Sequence, residues 1–331
     1  MMRRFLIPLD GTIVSEQICE WVAELGKALT PRPEMILFSV VKPPLAELQG
    51  ISEVDIEQPP AQGGVAERQG RVAQAPYEQA APPGTAFDLE QQANELRRAG
   101  LTVTTQIVAG EDPATEIVRA ATDLDVDMIA MATHGGSPLA RGILGSVTDR
   151  VIRMSERLVL VVRPPVAGEI HLAAQRPSTI IVPLDGKDLS ARAVPIAEDL
   201  GRNLGAKLLF LNVVEGFEKI EPSNEYAAAG EGQLAGALQH QRAVAEGSRV
   251  LEPYIGEATR KALNVEPEVD AGNPAKRIIE ATERQRDSWV VMSTHGHTGL
   301  IRWLLGGTAD KVIRATERPV LVVPLAYKAP R

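Results

Sequence analysis

The stretch Phe5-Leu6-Ile7-Pro8-Leu9-Asp10-Gly11 returns 175 residues later as Ile180-Ile181-Val182-Pro183-Leu184-Asp185-Gly186. A second stretch, Thr133-His134-Gly135, returns as Thr294-His295-Gly296 at an offset of 161. By the same offset Arg141, Leu144 and Gly145 fall on Arg302, Leu305 and Gly306, and Val151-Ile152-Arg153 falls on Val312-Ile313-Arg314. Segments that keep register in this way are two copies of one unit, and the two offsets leave the first copy fourteen residues longer between its matched ends.

Outward from these matches, short apolar runs alternate with amphipathic helical stretches, the pattern of a parallel α/β sheet with crossover helices. Strands are expected near 4–9, 35–41, 101–108, 127–132 and 158–163, and again near 179–184, 207–214, 264–270, 288–293 and 319–324. First-half helices are expected near 14–28, 86–99, 113–123 and 146–155. Met128-Ile129-Ala130-Met131 and Leu158-Val159-Leu160-Val161-Val162 are continuously apolar, as parallel strands covered on both faces should be. The expected architecture is α/β: two tandem doubly wound domains, 1–165 and 176–326, each a five-stranded parallel sheet flanked by helices. A stretch rich in Pro, Gln, Gly and Ala at 42–84 interrupts the first, and its proline pairs exclude a regular helix or central strand. Glu215 to about Leu234 is its shorter, similarly polar counterpart.

The 331 residues suffice for two hydrophobic cores. Lys and Arg number 35 against 43 Asp and Glu, a formal charge of −8, in a chain that is 44% hydrophobic. With that balance and no basic tract, the electrostatic footprint for nucleic acid or anionic lipid is missing, so neither nucleic acid nor membrane is an expected partner. Cys19 stands alone, which excludes an internal disulfide, and five scattered histidines give no metal-ligand spacing. Asp10 closes the N-terminal apolar run too early for a secretion signal, and no run reaches the length of a membrane span. The expected location is cytoplasmic.

In a doubly wound sheet ligands sit beyond the carboxyl ends of the strands, where strand order reverses. Asp10 and Asp185 close strand one of each half there, although Asp-Gly is also an ordinary turn in which the aspartate caps the next helix. Strand four runs into Met131-Ala132-Thr133-His134-Gly135, then nine residues, then Gly145-Ser146 at a helix start; its partner is Met292-Ser293-Thr294-His295-Gly296, nine residues, then Gly306-Gly307-Thr308. Glycines let backbone approach a ligand closely, and a helix start offers unpaired N–H groups to an anion. Arg141 and Arg302 share one position of this loop and suit a phosphate as well as they suit solvent.

These residues resemble the universal stress protein family in its tandem form, over nearly the whole chain apart from 42–84 and the linker. The nucleotide-binding branch of that family carries Gly, two residues, Gly, nine residues, Gly, then Ser or Thr. Gly135, Gly145 and Ser146 match in the first half and Gly296 and Gly306 in the second; Ala132 and Ser293 replace the first glycine, Gly307 replaces the hydroxyl residue, and Pro138 stands where glycine is usual. The resemblance implies ATP or ADP, with Mg as a companion ion, held by Pro8, Asp10, Val40, Met131, Ala132, Gly135, Gly145, Ser146, Val147 and Thr148. The second-half set is Pro183, Asp185, Val213, Met292, Ser293, Gly296, Gly306, Gly307 and Thr308. His134 and His295 are expected to structure the loop or line the pocket. Alanine or serine for glycine is harmless only if φ there is negative. The resemblance also implies that the halves meet through their last strands, Leu158 to Arg163 and Pro319 to Pro324, which hides two apolar edges and leaves a whole-chain homodimer open.

The function so implied is a regulatory or protective role in stress response with an adenine nucleotide as ligand. The rival is a nucleotide-free interaction protein of the same fold with degenerate phosphate loops. No Walker A motif, nucleophile elbow or carboxylate pair marks a dedicated enzyme, and a nucleotidyl transferase would need a strand-one signature that is absent. Weak ATP hydrolysis is compatible with the sequence, which names no base for it. Gly230-Glu231-Gly232-Gln233-Leu234-Ala235 matches a dinucleotide fingerprint but follows no strand and is read as chance.

Overall fold

The computed structural model describes residues 2–42, 89–133, 144–163, 176–215, 230–294 and 305–327. In the first half β1 (Arg4–Pro8), β2 (Glu34–Val41), β3 (Thr102–Ala109), β4 (Met128–Ala132) and β5 (Leu158–Val162) alternate with α1 (Ile13–Glu16), α2 (Ile18–Ala28), α3 (Leu89–Arg98), α4 (Pro113–Asp123) and α5 (Ser146–Met154). The second half repeats this with β6 (Thr179–Pro183), α6 (Asp188–Ala191), α7 (Ala193–Leu204), β7 (Lys207–Val214), α8 (Gly230–Arg260), β8 (Val265–Ala271), α9 (Pro274–Arg284), β9 (Ser288–Ser293), α10 (Gly307–Ala315) and β10 (Val320–Val323).

The expected five-stranded sheets are joined into one ten-stranded sheet, ordered β3-β2-β1-β4-β5-β10-β9-β6-β7-β8. Within each half the described strand pairs are parallel, and strand order reverses between β1 and β4 and between β6 and β9. The seam is antiparallel, with Val320 opposite Val161, Leu321 opposite Leu160 and Val322 opposite Val159. The halves therefore point their strands in opposite directions, and their carboxyl-end rims lie on opposite ends of the sheet. Both apolar last strands are paired within the chain. At the far edge β8 carries Glu266, Pro267 and Glu268, residues that discourage further strand addition.

Alternation along each strand divides the core into two layers that run through both halves. Phe5, Ile7, Leu37, Ile180, Val182, Phe210 and Val291 face α2, α3, α7 and α8; Leu6, Phe38, Ile129, Val159, Ile181, Leu209 and Val290 face α4, α5, α9 and α10. Across the seam α5 and α10 run side by side with acids in their first turns and arginines in their last. Arg314 reaches Asp149 at 3.1 Å and Arg153 reaches Asp310 at 3.9 Å, while each arginine also pairs with the acid of its own helix. Trp21 of α2 meets Trp289 of β9 with ring centroids 6.3 Å apart.

One expectation needs correction. The polar stretch from Glu215 to about Leu234 does not stay irregular to its end, because α8 begins at Gly230 and takes in the fingerprint Gly230 to Ala235. From Glu231 onward that segment is rich in Ala, Gln, Glu and Leu, strong helix formers that outweigh its glycines. The excursion from residue 43 to 84 lies outside the described residues. Among the described residues no helix is long and apolar enough to cross a membrane, and no group of three His, Cys, Asp or Glu side chains is placed to hold a metal ion.

Candidate functional site

Each rim is built from four segments: the turn after strand one, the end of strand two, the end of strand four and the start of the helix that follows. Gly11 and Gly186 adopt φ 78 and 79, left-handed values that glycine reaches without strain and that swing the chain from strand into helix. The preceding aspartates fold onto these turns. Asp10 Oδ1 accepts from Thr12 N at 3.0 Å and Thr12 Oγ1 at 2.6 Å, and Asp185 Oδ1 accepts from Lys187 N at 3.1 Å. Ser15 and Ser190 brace the same turns by accepting from the aspartate N–H groups. The turn role weighed for these aspartates is thus real, and it coexists with their position at the rim.

The second rim opens into a cleft of about 870 Å³. Pro183, Asp185, Val213, Met292, Ser293, Gly306, Gly307 and Thr308, all singled out by sequence, line it together. Its far wall was not anticipated: Gly272, Asn273 and Pro274 of the turn from β8 into α9, with Glu215 at the end of β7 and Lys311 on α10. A signal for that wall was present, since Ala109-Gly110-Glu111-Asp112-Pro113-Ala114 and Ala271-Gly272-Asn273-Pro274-Ala275 are copies that differ by one extra residue and the exchange of Asp112 for Asn273. His295, Gly296 and Arg302 lie outside the described residues.

The departures from glycine can now be judged. Ser293 ends β9 and Ala132 ends β4, and among the described residues only Asp125 and Ala262 combine a side chain with positive φ. Neither substitution is opposed by its backbone angle. Gly306 N bonds Thr294 O at 2.6 Å, so the two ends of the loop close on each other. Gly306 caps α10 without a side-chain hydrogen bond, and a Cβ built on Gly307 meets nothing within 4 Å. The first residues of a nine-residue helix therefore line the cleft with their N–H groups unpaired by side-chain caps, a setting that favours an anion.

At the first rim Pro8, Asp10, Val40, Met131, Ala132, Gly145, Ser146, Val147 and Thr148 occupy the matching ends of β1, β2, β4 and the start of α5. Gly145 caps α5 in nearly the geometry of Gly306, φ −56 against −62, also without a side-chain bond. His134, Gly135, Pro138 and Arg141 lie outside the described residues. Beyond Ala132 for Ser293 and Ser146 for Gly307, a pair of charges separates this rim from the second. Arg150 of α5 grips Asp112, at the start of α4, with two hydrogen bonds of 2.6 Å, and Thr115 Oγ1 adds a third. The Arg150 and Thr115 bonds hold the Asp112 carboxyl down at about 2. By the offset of 161 these positions are Asn273 and Lys311 in the second half. Asn273 caps α9 by accepting from Lys276 N at 3.1 Å, and Lys311 pairs with no carboxylate among the described residues.

Comparison with known proteins agrees with this duplication. The profile of the Universal stress protein family matches residues 1–163 and again 177–324. A universal stress protein of Methanocaldococcus jannaschii is 32% identical over 144 residues, 44% of this chain and 80% of that protein. One of Mycobacterium tuberculosis is 24% identical over 202 residues, 60% of this chain and 62% of its own length. Among solved structures, a universal stress protein of Archaeoglobus fulgidus superposes with a TM-score of 0.59 at 19% identity, covering 97% of this chain and 96% of that one. A functionally unknown protein of Pseudomonas aeruginosa gives 0.60 at 15% identity, over 98% and 93%. Two profile matches that together span most of the chain, on a fold with two copies of one rim, make this chain a member of the universal stress protein family.

Proposed function

We propose that the chain binds an adenine nucleotide, ATP or ADP, in the cleft at its second rim, and serves a regulatory or protective role in stress response in a cytoplasmic setting. The observation that carries this reading is the convergence of eight residues, chosen by motif from the ends of three strands and the start of one helix, on a single cleft of about 870 Å³. That volume lies within the range of small-molecule sites. Val213 and Met292 offer apolar walls to a base, while Gly307 and Thr308 offer helix-start N–H groups to phosphates. A nucleotide bound there would bring Mg²⁺ as counter-ion to its phosphates. The rival reading, a nucleotide-free interaction protein, draws on Ala132, Ser293 and Gly307; the extended backbone at the first two and the open space at the third weaken it.

The test is direct. Protein purified without added nucleotide is denatured and the released small molecules are identified, and ATP binding is measured by calorimetry on the chain and on Gly307→Trp. The Cβ of that side chain starts from open space beside the cleft, and a denaturation curve checks that the variant folds. Adenine nucleotide in the extract, with ATP binding lost in Gly307→Trp, supports the reading. No nucleotide and no binding would leave the interaction protein in its place.

A further inference from the structure

Lys311 lines the second cleft and lies four residues after Gly307, on the same face of α10 one turn on. Side chains on a helix lean toward its N-terminus, so the lysine stem rises toward the N–H groups at the helix start. Residue 307 is glycine, and among the described residues nothing lies within 4 Å of the space a Cβ would take there. Asp310, beside it in sequence, is engaged with Arg314 at 2.9 Å and Arg153 at 3.9 Å. The residue opposite, Asn273, is neutral and spends its side-chain oxygen on the Lys276 N–H.

The first rim has the same two positions filled differently. There Arg150 is bound bidentately by Asp112, so a phosphate arriving at that rim has to compete with a carboxylate already in place. Asp to Asn and Arg to Lys together replace a neutralised pair with an amide and an ammonium of three donors that pairs with no carboxylate among the described residues. Asp185 and Glu215 also line the second cleft, and Lys311 is the cation among its described lining residues.

We propose that Lys311 is the specificity-determining cation of the second rim, holding the outer phosphates of a nucleoside polyphosphate and making that rim sensitive to phosphate number, while Asp112 denies the same role to Arg150. This rests on the nucleotide reading of the cleft. It assigns Gly307 a purpose: where a hydroxyl side chain is missing from the helix start, a lysine one turn later reaches over the gap.

The experiment is calorimetry on the full chain with ATP, ADP, AMP and adenosine, repeated with Lys311→Ala, Lys311→Arg and Asn273→Asp. Affinity of the unmodified chain rises with phosphate number. Lys311→Ala weakens ATP by about tenfold, the loss of one charge-assisted contact, and leaves adenosine within about twofold. Lys311→Arg keeps the preference, and Asn273→Asp, which installs the first rim's acid, weakens ATP as Lys311→Ala does. An unchanged ratio of ATP to adenosine affinity in Lys311→Ala overturns the role of Lys311 and leaves nucleotide binding standing. A chain that binds none of the four ligands overturns both.

Discussion

The two rims share a fold, a turn and a helix cap, and they part most clearly in the pair of polar side chains at their mouths. Asp112 and Arg150 close on each other at the first rim, whereas Asn273 and Lys311 at the second leave a cation facing a cleft. The scaffold features come through duplication nearly unchanged: Gly11 and Gly186 differ by one degree in φ, and Gly145 and Gly306 by six. The charges at the mouth do not. Backbone geometry is held by packing of both core layers, while an exposed pair is free to diverge and change what the rim attracts.

Four experiments would break or sharpen this comparison. The largest effect is expected from Gly247→Ala in α8. A Cβ there comes within 2.4 Å of Val269 and 2.7 Å of Asn212, and Asn212 in turn donates to Leu184 O at the base of the second rim. Overpacking of this kind costs about 1–3 kcal/mol, and chemical denaturation should register it as a lower midpoint. If the midpoint holds, α8 does not bear on the second rim as closely as described.

Next comes the double exchange Asp112→Asn with Arg150→Lys, which gives the first rim the second rim's pair. Calorimetry should then show a gain of about tenfold in ATP affinity at the first rim, and no gain would mean that the pair is not what separates the rims. A smaller effect is expected from Arg314→Ala at the seam, where the arginine touches Asp310 and Asp149 at a half-exposed site. Loss of about 0.5 kcal/mol in thermal unfolding is predicted, larger at low salt. The smallest effect is a titration. The Asp112 carboxyl, held at about 2 by Arg150 and Thr115, contributes stability that is fully present above the ordinary carboxylate range and is lost as pH falls toward 2. Carboxyl NMR should find it ionised near pH 3 in the natural chain, and returned toward 3.8 in Arg150→Ala; no difference between the two chains would deny the clasp.

Much of this was legible in the sequence. The repeated Pro-Leu-Asp-Gly and the continuously apolar strand-four and strand-five runs fixed the order of elements, because burial on both faces leaves little freedom in composition. The second rim's strand-end residues were legible for a related reason: topology alone brings strand ends to one side. The wall formed by Gly272, Asn273 and Pro274 was missed although its repeat was visible, since a turn that caps a helix reads locally as structure only. The Asp112 and Arg150 clasp was not legible at all. Its members are 38 residues apart, and nothing in local spacing says which of many exposed charges will meet. Arg141 and Arg302, which local motif spacing does single out, lie outside the described residues. Residues 43–84 of the 42–84 excursion likewise lie outside the described residues.

The central claim is that the second rim, not the first, is the open polyphosphate site. Its most direct test is ATP calorimetry on the mirror variants Gly307→Trp and Ser146→Trp, which place one bulky side chain at the same point of α10 and α5. Loss of binding in Gly307→Trp with binding kept in Ser146→Trp is the predicted result. Binding kept in Gly307→Trp and lost in Ser146→Trp would contradict it.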